Sequence, residues 1–280
     1  MKIAVVTDSH LAPDASACSE NWGAVRAFIA SSGADLTVHL GDVTVDGLHD
    51  PAHFTHVEAI SAGWPTPIRY LPGNHDIGDN SPGPGLAAKH PLDPVRIADF
   101  RAVLGPDYWC IDEEGWRVIG LDAQLFGSGG IGEAAQWTWL AEVAAESRGR
   151  PVILLLHKPL FQDSPGDEAP HQRYVPVAPR RRLLELLAPV RVHAVLSGHT
   201  HQYRDRVDDD VRHVWVPSTA FYLPDEIQER LGEKITGLGI LELLRGEYRF
   251  HLVCPDGVVR HSALDHPIYP ELVGAASAGS

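Results

Sequence analysis

The chain has 280 residues, 44% hydrophobic and 21% charged, enough for one large domain or two small ones and too apolar for a disordered chain. Its 37 acidic and 23 basic residues give a formal charge of −14, which argues against general nucleic-acid binding, because that affinity needs Lys and Arg to displace counterions. Cys18, Cys110 and Cys254 are scattered and form no CxxC pair, which excludes a zinc ribbon or a disulfide framework and reads as buried reduced thiols.

In chain order, the first apolar run, Ile3–Val6, is too short for a signal peptide. No stretch approaches the ~18 apolar residues that span a bilayer, so a soluble cytoplasmic protein with no membrane association is expected. Ile3–Val6 leads into Asp8-Ser9-His10. Leu36–Leu40 leads into Gly41-Asp42, and Pro67–Leu71 into Gly73-Asn74-His75-Asp76. Val118–Leu121 leads into Asp122, Val152–Leu156 into His157, and Ala194–Leu196 into Gly198-His199-Thr200-His201. Short β-branched runs of this kind read as strands buried on both faces. Helical patterns at Trp22–Ser31, Asp50–Ala62, Glu133–Glu146 and Arg180–Leu187 alternate with them, which predicts an α/β fold. In such folds the ligand site lies beyond the carboxyl ends of the strands, where these polar loops sit. His213–Val216, Gly239–Leu244 and Tyr248–Val253 read as antiparallel strands, the last two joined by a turn at Arg245-Gly246-Glu247. Ile77–Pro94 and Gln162–Pro179 read as long, functional loops that shape a pocket. Gly274–Ser280 reads as a frayed tail.

Five of the sixteen histidines, His10, His75, His157, His199 and His201, fall in the strand-end loops beside Asp8, Asp42 and Asn74. A mixed nitrogen and oxygen set without thiolate suits Mn, Fe or Zn better than Mg or Ca. The set is too large for one catalytic ion and fits two that share a bridging carboxylate.

Asp8-x-His10, Gly41-Asp42, Gly73-Asn74-His75-Asp76, the lone strand-end His157 and Gly198-His199-Thr200-His201, in that order, resemble the calcineurin-like metallophosphoesterase superfamily. Each block is weak alone; the ordered series, each after a predicted strand, carries the resemblance. It implies an α/β, four-layer αββα sandwich of two mixed β-sheets flanked by helices, with the antiparallel C-terminal strands in the second sheet. A single domain over 1–265 and a flexible C-terminal tail over 266–280 are expected. The resemblance implies that Asp8, His10 and His201 hold one metal, that Asn74, His157 and His199 hold the other, and that Asp42 bridges them. His75 is implied as the catalytic acid that protonates the leaving oxygen. Two ions about 3.5–4 Å apart can clamp a phosphate and acidify a bridging water into a hydroxide nucleophile. A histidine titrating near neutrality can then supply the proton the leaving alkoxide needs.

The implied activity is binuclear metal-dependent hydrolysis of a small-molecule phosphoester. Asp8-x-His10 with Gly198-His199-Thr200-His201 is similar in motif to the bacterial class III cyclic-nucleotide phosphodiesterases, which favours a phosphodiester, including a 3',5'-cyclic nucleotide, as substrate. Plant-type purple acid phosphatases carry a Tyr where this chain has Val45. Alternatives are a broad-specificity phosphomonoesterase and a catalytically inactive scaffold of the same fold; oligomeric state stays open.

Other residues receive structural readings. His39 reads as a core or ligand-orienting histidine, Asp46 as structural, and His49, His53 and His56 as a solvated face. Gly127-Ser128-Gly129-Gly130-Ile131-Gly132 fits GxGxxG but lacks an acidic residue at the end of the next strand, and reads as a flexible loop. Trp137, Trp139 and Leu140 read as core or interface residues rather than a ligand platform. Arg180-Arg181-Arg182 reads as a solvated helix start that could also steer anions. Phe221 and Tyr222 read as exposed aromatics at an interface or pocket.

Overall fold

The computed structural model describes residues 1–265 and 268–269. In chain order the first elements are β1 (Lys2–Val6), α1 (Ser16–Ser32), β2 (Leu36–His39), α2 (Ala52–Ile60), β3 (Ile68–Tyr70), α3 (Asn74–Ile77) and α4 (Pro94–Leu104). Then come β4 (Trp109–Glu113), β5 (Trp116–Leu121), α5 (Ile131–Glu146), β6 (Pro151–Leu156), α6 (Val177–Leu187) and β7 (Arg191–Ser197). The remainder is all strand: β8 (Arg204–Asp208), β9 (Val211–Trp215), β10 (Phe221–Tyr222), β11 (Leu238–Leu244), β12 (Glu247–Val253) and β13 (His261–Ser262).

Two large mixed sheets result. One has the order β12-β11-β1-β2-β3 and the other β4-β5-β6-β7-β9-β8, while β10 and β13 form a small parallel pair. Side chains alternate across each strand, and this period of two builds the layers. Ile3 and Val5 of β1 face Ile153 and Leu155 of β6 in the core between the sheets. Ala4 and Val6 point the other way, onto Trp22, Val25 and Ile29 of α1 and onto Phe54 and Phe100 of α2 and α4. Val152, Leu154 and Leu156 likewise point outward onto Trp137, Leu140 and Val143 of α5 and Leu183 of α6. The layers are therefore helix, sheet, sheet, helix, as expected. Each fully buried Val, Ile or Leu contributes roughly 1.5–3 kcal/mol of transfer free energy, so the continuous apolar strands dictate burial on both faces. The Trp116 indole donates to the Leu244 carbonyl at 2.7 Å and stitches the two sheets at one edge.

Several details differ from the expectation. The hairpin of β11 and β12 joins the sheet of β1, pairing antiparallel with it, rather than the second sheet. His213–Val216 falls on β9, which runs parallel to β7 and antiparallel only to β8. β8 carries no strand signal in the sequence, because Arg204, Asp205 and Arg206 look like loop residues. α4 was hidden at the end of the Gly- and Pro-rich stretch. Its signal is the Asp93 side chain accepting from the Val95 amide at 2.8 Å, followed by Pro94 at the first helical position. Only Cys18 is buried; Cys110 is half-buried and Cys254 exposed. Gly274–Ser280 lies outside the described residues. No helix among the described residues is long and apolar enough to cross a membrane.

Candidate metal centre

The five polar blocks converge at the carboxyl ends of parallel strands from both sheets. Asp8 and His10 follow β1, Asp42 follows β2, and Asn74 and His75 open α3 after β3. His157 follows β6, and His199 and His201 follow β7. These turns are tight. Asp8, His10, Asp42, His199 and His201 all take left-handed backbone, with φ of 50°, 44°, 52°, 67° and 52°. Such conformations are uncommon outside glycine, and strained backbone clusters where a site demands it. The glycines beside them give room. A Cβ on Gly198 would lie 1.9 Å from Thr7 Oγ1, and one on Gly73 would lie 2.1 Å from Asp42 Oδ1.

Two groups of donors form. Asp8, His10 and His201 make one, and Asp42, His157 and His199 the other, with ligand atoms of each group within 4.8 Å of one another. Asn74 Oδ1 lies 3.4 Å from His157 Nε2 and so joins the second group. His10 Nε2 faces His201 Nε2 at 3.2 Å, and His199 Nδ1 faces His157 Nε2 at 3.1 Å. Asp8 Oδ1 is 3.4 Å from His201 Nε2, and Asp42 Oδ2 is 3.3 Å from His157 Nε2. All eight residues singled out in the sequence meet here.

The arrangement fits metal ions. His157 Nδ1 lies 3.1 Å from the Leu40 carbonyl, and His201 Nδ1 lies 2.9 Å from that of Phe221. A carbonyl only accepts, so each Nδ1 carries a hydrogen and donates it. Each Nε2 is thereby aimed into the donor cluster, as metal-binding imidazoles require. Nitrogens that face each other at such distances need a proton or a cation between them.

Electrostatics agree. Burial pushes the Asp8 carboxyl up, although the histidines around it oppose this. Burial also works against charge on Asp42, but His157, His75 and His10 outweigh it and hold that carboxyl well below the usual range. His157 is desolvated too, yet the Asp42 and Asp8 carboxylates raise it to about 9. Burial lowers His10 and His199, with further lowering from His75 and His157 respectively. Neutral imidazoles beside an ionised carboxylate are the protonation states that suit a bound cation.

His75 belongs to neither donor group but abuts both, its ring 5.0 Å from that of His10. Its amide donates to Asp42 Oδ1 at 2.9 Å and its Nδ1 to the Val45 carbonyl at 2.9 Å. Nε2 is left as the nitrogen able to exchange a proton in the cavity that His75 lines. That open cavity has a volume of about 620 Å³. Both long loops line it: the first supplies Asp79, Lys89 and His90, the second Gln172 and Arg173. Lys89 and Arg173 form no ion pair among the described residues.

Sequence reasoning missed two residues. Lys158, beside His157, is fully buried and bonds Asp79 and Asn80, the latter at 2.7 Å, which anchors the first loop. A lysine directly after an apolar strand was the available signal. Tyr269, within the expected tail, is 9% exposed and its hydroxyl sits 2.6 Å from His10 Nδ1. Nothing local marks it.

The remaining readings divide. His39 bonds Ser9 at 2.8 Å and the Gly41 amide at 3.2 Å, so it orients the turns that carry ligands. Asp46 and His49 pair at 2.6 Å on the cavity wall rather than forming a bare solvated face. The Gly127–Gly132 turn holds no cofactor cradle: its Gly127 and Gly129 amides donate to the Glu133 carboxylate at 2.8 and 2.7 Å. Trp137 and Leu140 are core, and Trp139 packs partly buried beside them. Arg180 is buried and bonds the Leu160 carbonyl at 3.2 Å, Arg181 pairs with Glu168, and Arg182 lies 4.2 Å over Trp137; none of the three lines the cavity. Phe221 is buried against His10 and His201 and lines the cavity, and Tyr222 lies half-buried under Arg260; neither is an exposed aromatic, though the pocket reading holds for Phe221.

A sequence model of the calcineurin-like phosphoesterases matches residues 1–203, nearly three-quarters of the chain and all five blocks. The chain belongs to this family. Among curated relatives, a probable cyclic nucleotide phosphodiesterase of Psychrobacter arcticus is 24% identical over 77% of this chain and 75% of its own length. The 3',5'-cyclic adenosine monophosphate phosphodiesterase CpdA of Pseudomonas aeruginosa is 30% identical over 66% of this chain and 61% of its own. A dimetal phosphatase from Danio rerio shares the fold with a TM-score of 0.62 at 12% identity, over 90% of this chain and 95% of that one. GAP50, the anchor in the inner membrane complex of Plasmodium, does so with a TM-score of 0.63 at 16% identity, over 92% and 86%. In this family member the Val45 carbonyl holds His75.

Proposed function

We propose that this calcineurin-like phosphoesterase hydrolyses phosphodiesters at a two-metal centre. In this reading Asp8, His10 and His201 hold one ion, Asn74, His157 and His199 hold the other, and Asp42 bridges. The observation that carries it is the convergence of two donor groups, with histidine Nε2 atoms aimed inward, at the floor of an open cavity. Two bound divalent ions supply Lewis-acid polarisation of a phosphoryl group and water acidified toward neutral pH. The protein's own work is orientation and proton delivery. Leu40 and Phe221 carbonyls fix the imidazoles, Asp42 positions the His75 backbone, and His75 Nε2 gives its proton to the departing oxygen. Such a centre would offer an anionic substrate local positive charge on a chain whose formal charge is −14.

The two curated relatives support a cyclic nucleotide as the diester. One observation favours the phosphomonoesterase reading instead: unpaired Lys89 and Arg173 on the cavity wall suit a doubly charged monoester. Three free thiols suit a reducing, cytoplasmic setting. The test is hydrolysis by metal-stripped protein with Mn²⁺ added back, bis(p-nitrophenyl) phosphate against p-nitrophenyl phosphate, then repeated with Fe²⁺ and Zn²⁺. Faster diester cleavage is expected. Faster monoester cleavage would replace the diester reading. No turnover with any ion would leave a scaffold.

A further inference from the structure

We infer that Tyr269 is a positioning residue for the Asp8–His10–His201 group, its hydroxyl holding the His10 ring with Nδ1 protonated and Nε2 bare for a metal ion. The inference rests on the metal-centre reading above. His157 and His201 have their Nδ1 hydrogens taken by backbone carbonyls. Among the described residues no carbonyl takes that of His10. The Tyr269 Oη lies 2.6 Å from His10 Nδ1 and 3.2 Å from the Val45 carbonyl. A phenol has one hydrogen, and the Val45 carbonyl only accepts. The phenol hydrogen therefore goes to Val45, and the oxygen's lone pair is left to take the hydrogen of His10 Nδ1. That leaves His10 Nε2 as the bare nitrogen facing His201. Oη also lies 3.3 Å from His75 Nδ1, whose own hydrogen goes to the same carbonyl at 2.9 Å. One buried node thus aligns a metal-facing ring and the proton-donating ring, which stand 5.0 Å apart and nearly perpendicular. Phe221 on the face of His10 stops the ring from turning toward another partner.

Outer partners of this kind typically change metal affinity by about 10–100-fold when removed. The test is calorimetric titration of the metal-free protein with Mn²⁺. Wild type should take up two equivalents. Tyr269→Phe, which keeps the ring and removes the hydroxyl, should keep one equivalent at wild-type affinity and weaken the other by about 10–100-fold. A purely structural role would weaken both equivalents alike or neither, and either result overturns the inference while leaving the metal centre standing. A wild type that takes up fewer than two equivalents removes the metal-centre reading and the inference with it. If Tyr269→Phe does not fold, ring ¹⁵N shifts of His10 in the metal-free wild type decide: an Nδ1–H tautomer supports the inference and an Nε2–H tautomer overturns it.

Discussion

His75 is not itself one of the donors; its backbone amide is held by the Asp42 carboxylate and its Nδ1 by the Val45 carbonyl. His75→Ala should therefore keep both metal equivalents and lose about 10²–10⁴-fold in kcat toward an alkyl ester. With p-nitrophenolate as leaving group, which needs no proton, the loss should shrink; equal losses for good and poor leaving groups would remove the acid role. His213 gives a stability prediction away from the centre. It is 8% exposed in β9, packed 4.8 Å from Phe161, and burial with nearby Arg206 lowers it from 6.5 to about 4. The unfolded chain therefore takes up this proton first as pH falls. Stability from the neutral ring is fully present above 6.5 and is lost as pH drops toward about 4. His213→Gln should flatten that loss by up to about 3 kcal/mol, read from denaturant melts across the window. Identical acid slopes in both proteins would show that His213 does not drive it.

At the level of elements, the turn before α5 explains a sequence motif that suggests a nucleotide cradle and serves none. Glu133 fills it from the first turn of its own helix, and also accepts from the Trp137 indole at 3.1 Å. Glu133→Ala should lower Tm by roughly 2–4 °C, corresponding to about 1 kcal/mol of lost charge-assisted bonding, with kcat unchanged because the turn lies outside the cavity. The strand-end blocks were legible because chemistry forces donors to the carboxyl ends of strands, and those strands announce themselves as apolar runs. Other elements left weaker marks. The charged edge strand β8 pairs with β9 alone and lays the arginines Arg204 and Arg206 over Trp215 and Phe161, so its residues look like loop. The sheet joined by β11 and β12 is decided by pairing with β1 across more than two hundred residues, for which no local pattern exists. Tyr269 was illegible for the same reason, since its partner His10 is 259 positions away.

For the molecule as a whole, each donor group draws on both sheets: Asp8 and His10 on one side of the seam with His201 on the other, and Asp42 and Asn74 facing His157 and His199. An ion seated in either group is therefore a bolt across the seam. It cannot engage until the two halves have docked, and it must leave before they part. Binding of this kind acts on the folding clock asymmetrically. Mn²⁺ at about 100 times its Kd adds about 2.7 kcal/mol per site, and contacts made only after the barrier appear in the unfolding rate. Stopped-flow chevrons should then show unfolding slowed by about 100-fold per occupied site and refolding unaltered. Refolding that quickens by the same factor would mean the donors already meet in the transition state. With the bolt in place, the lifetime of the folded protein is set by metal supply as much as by its core.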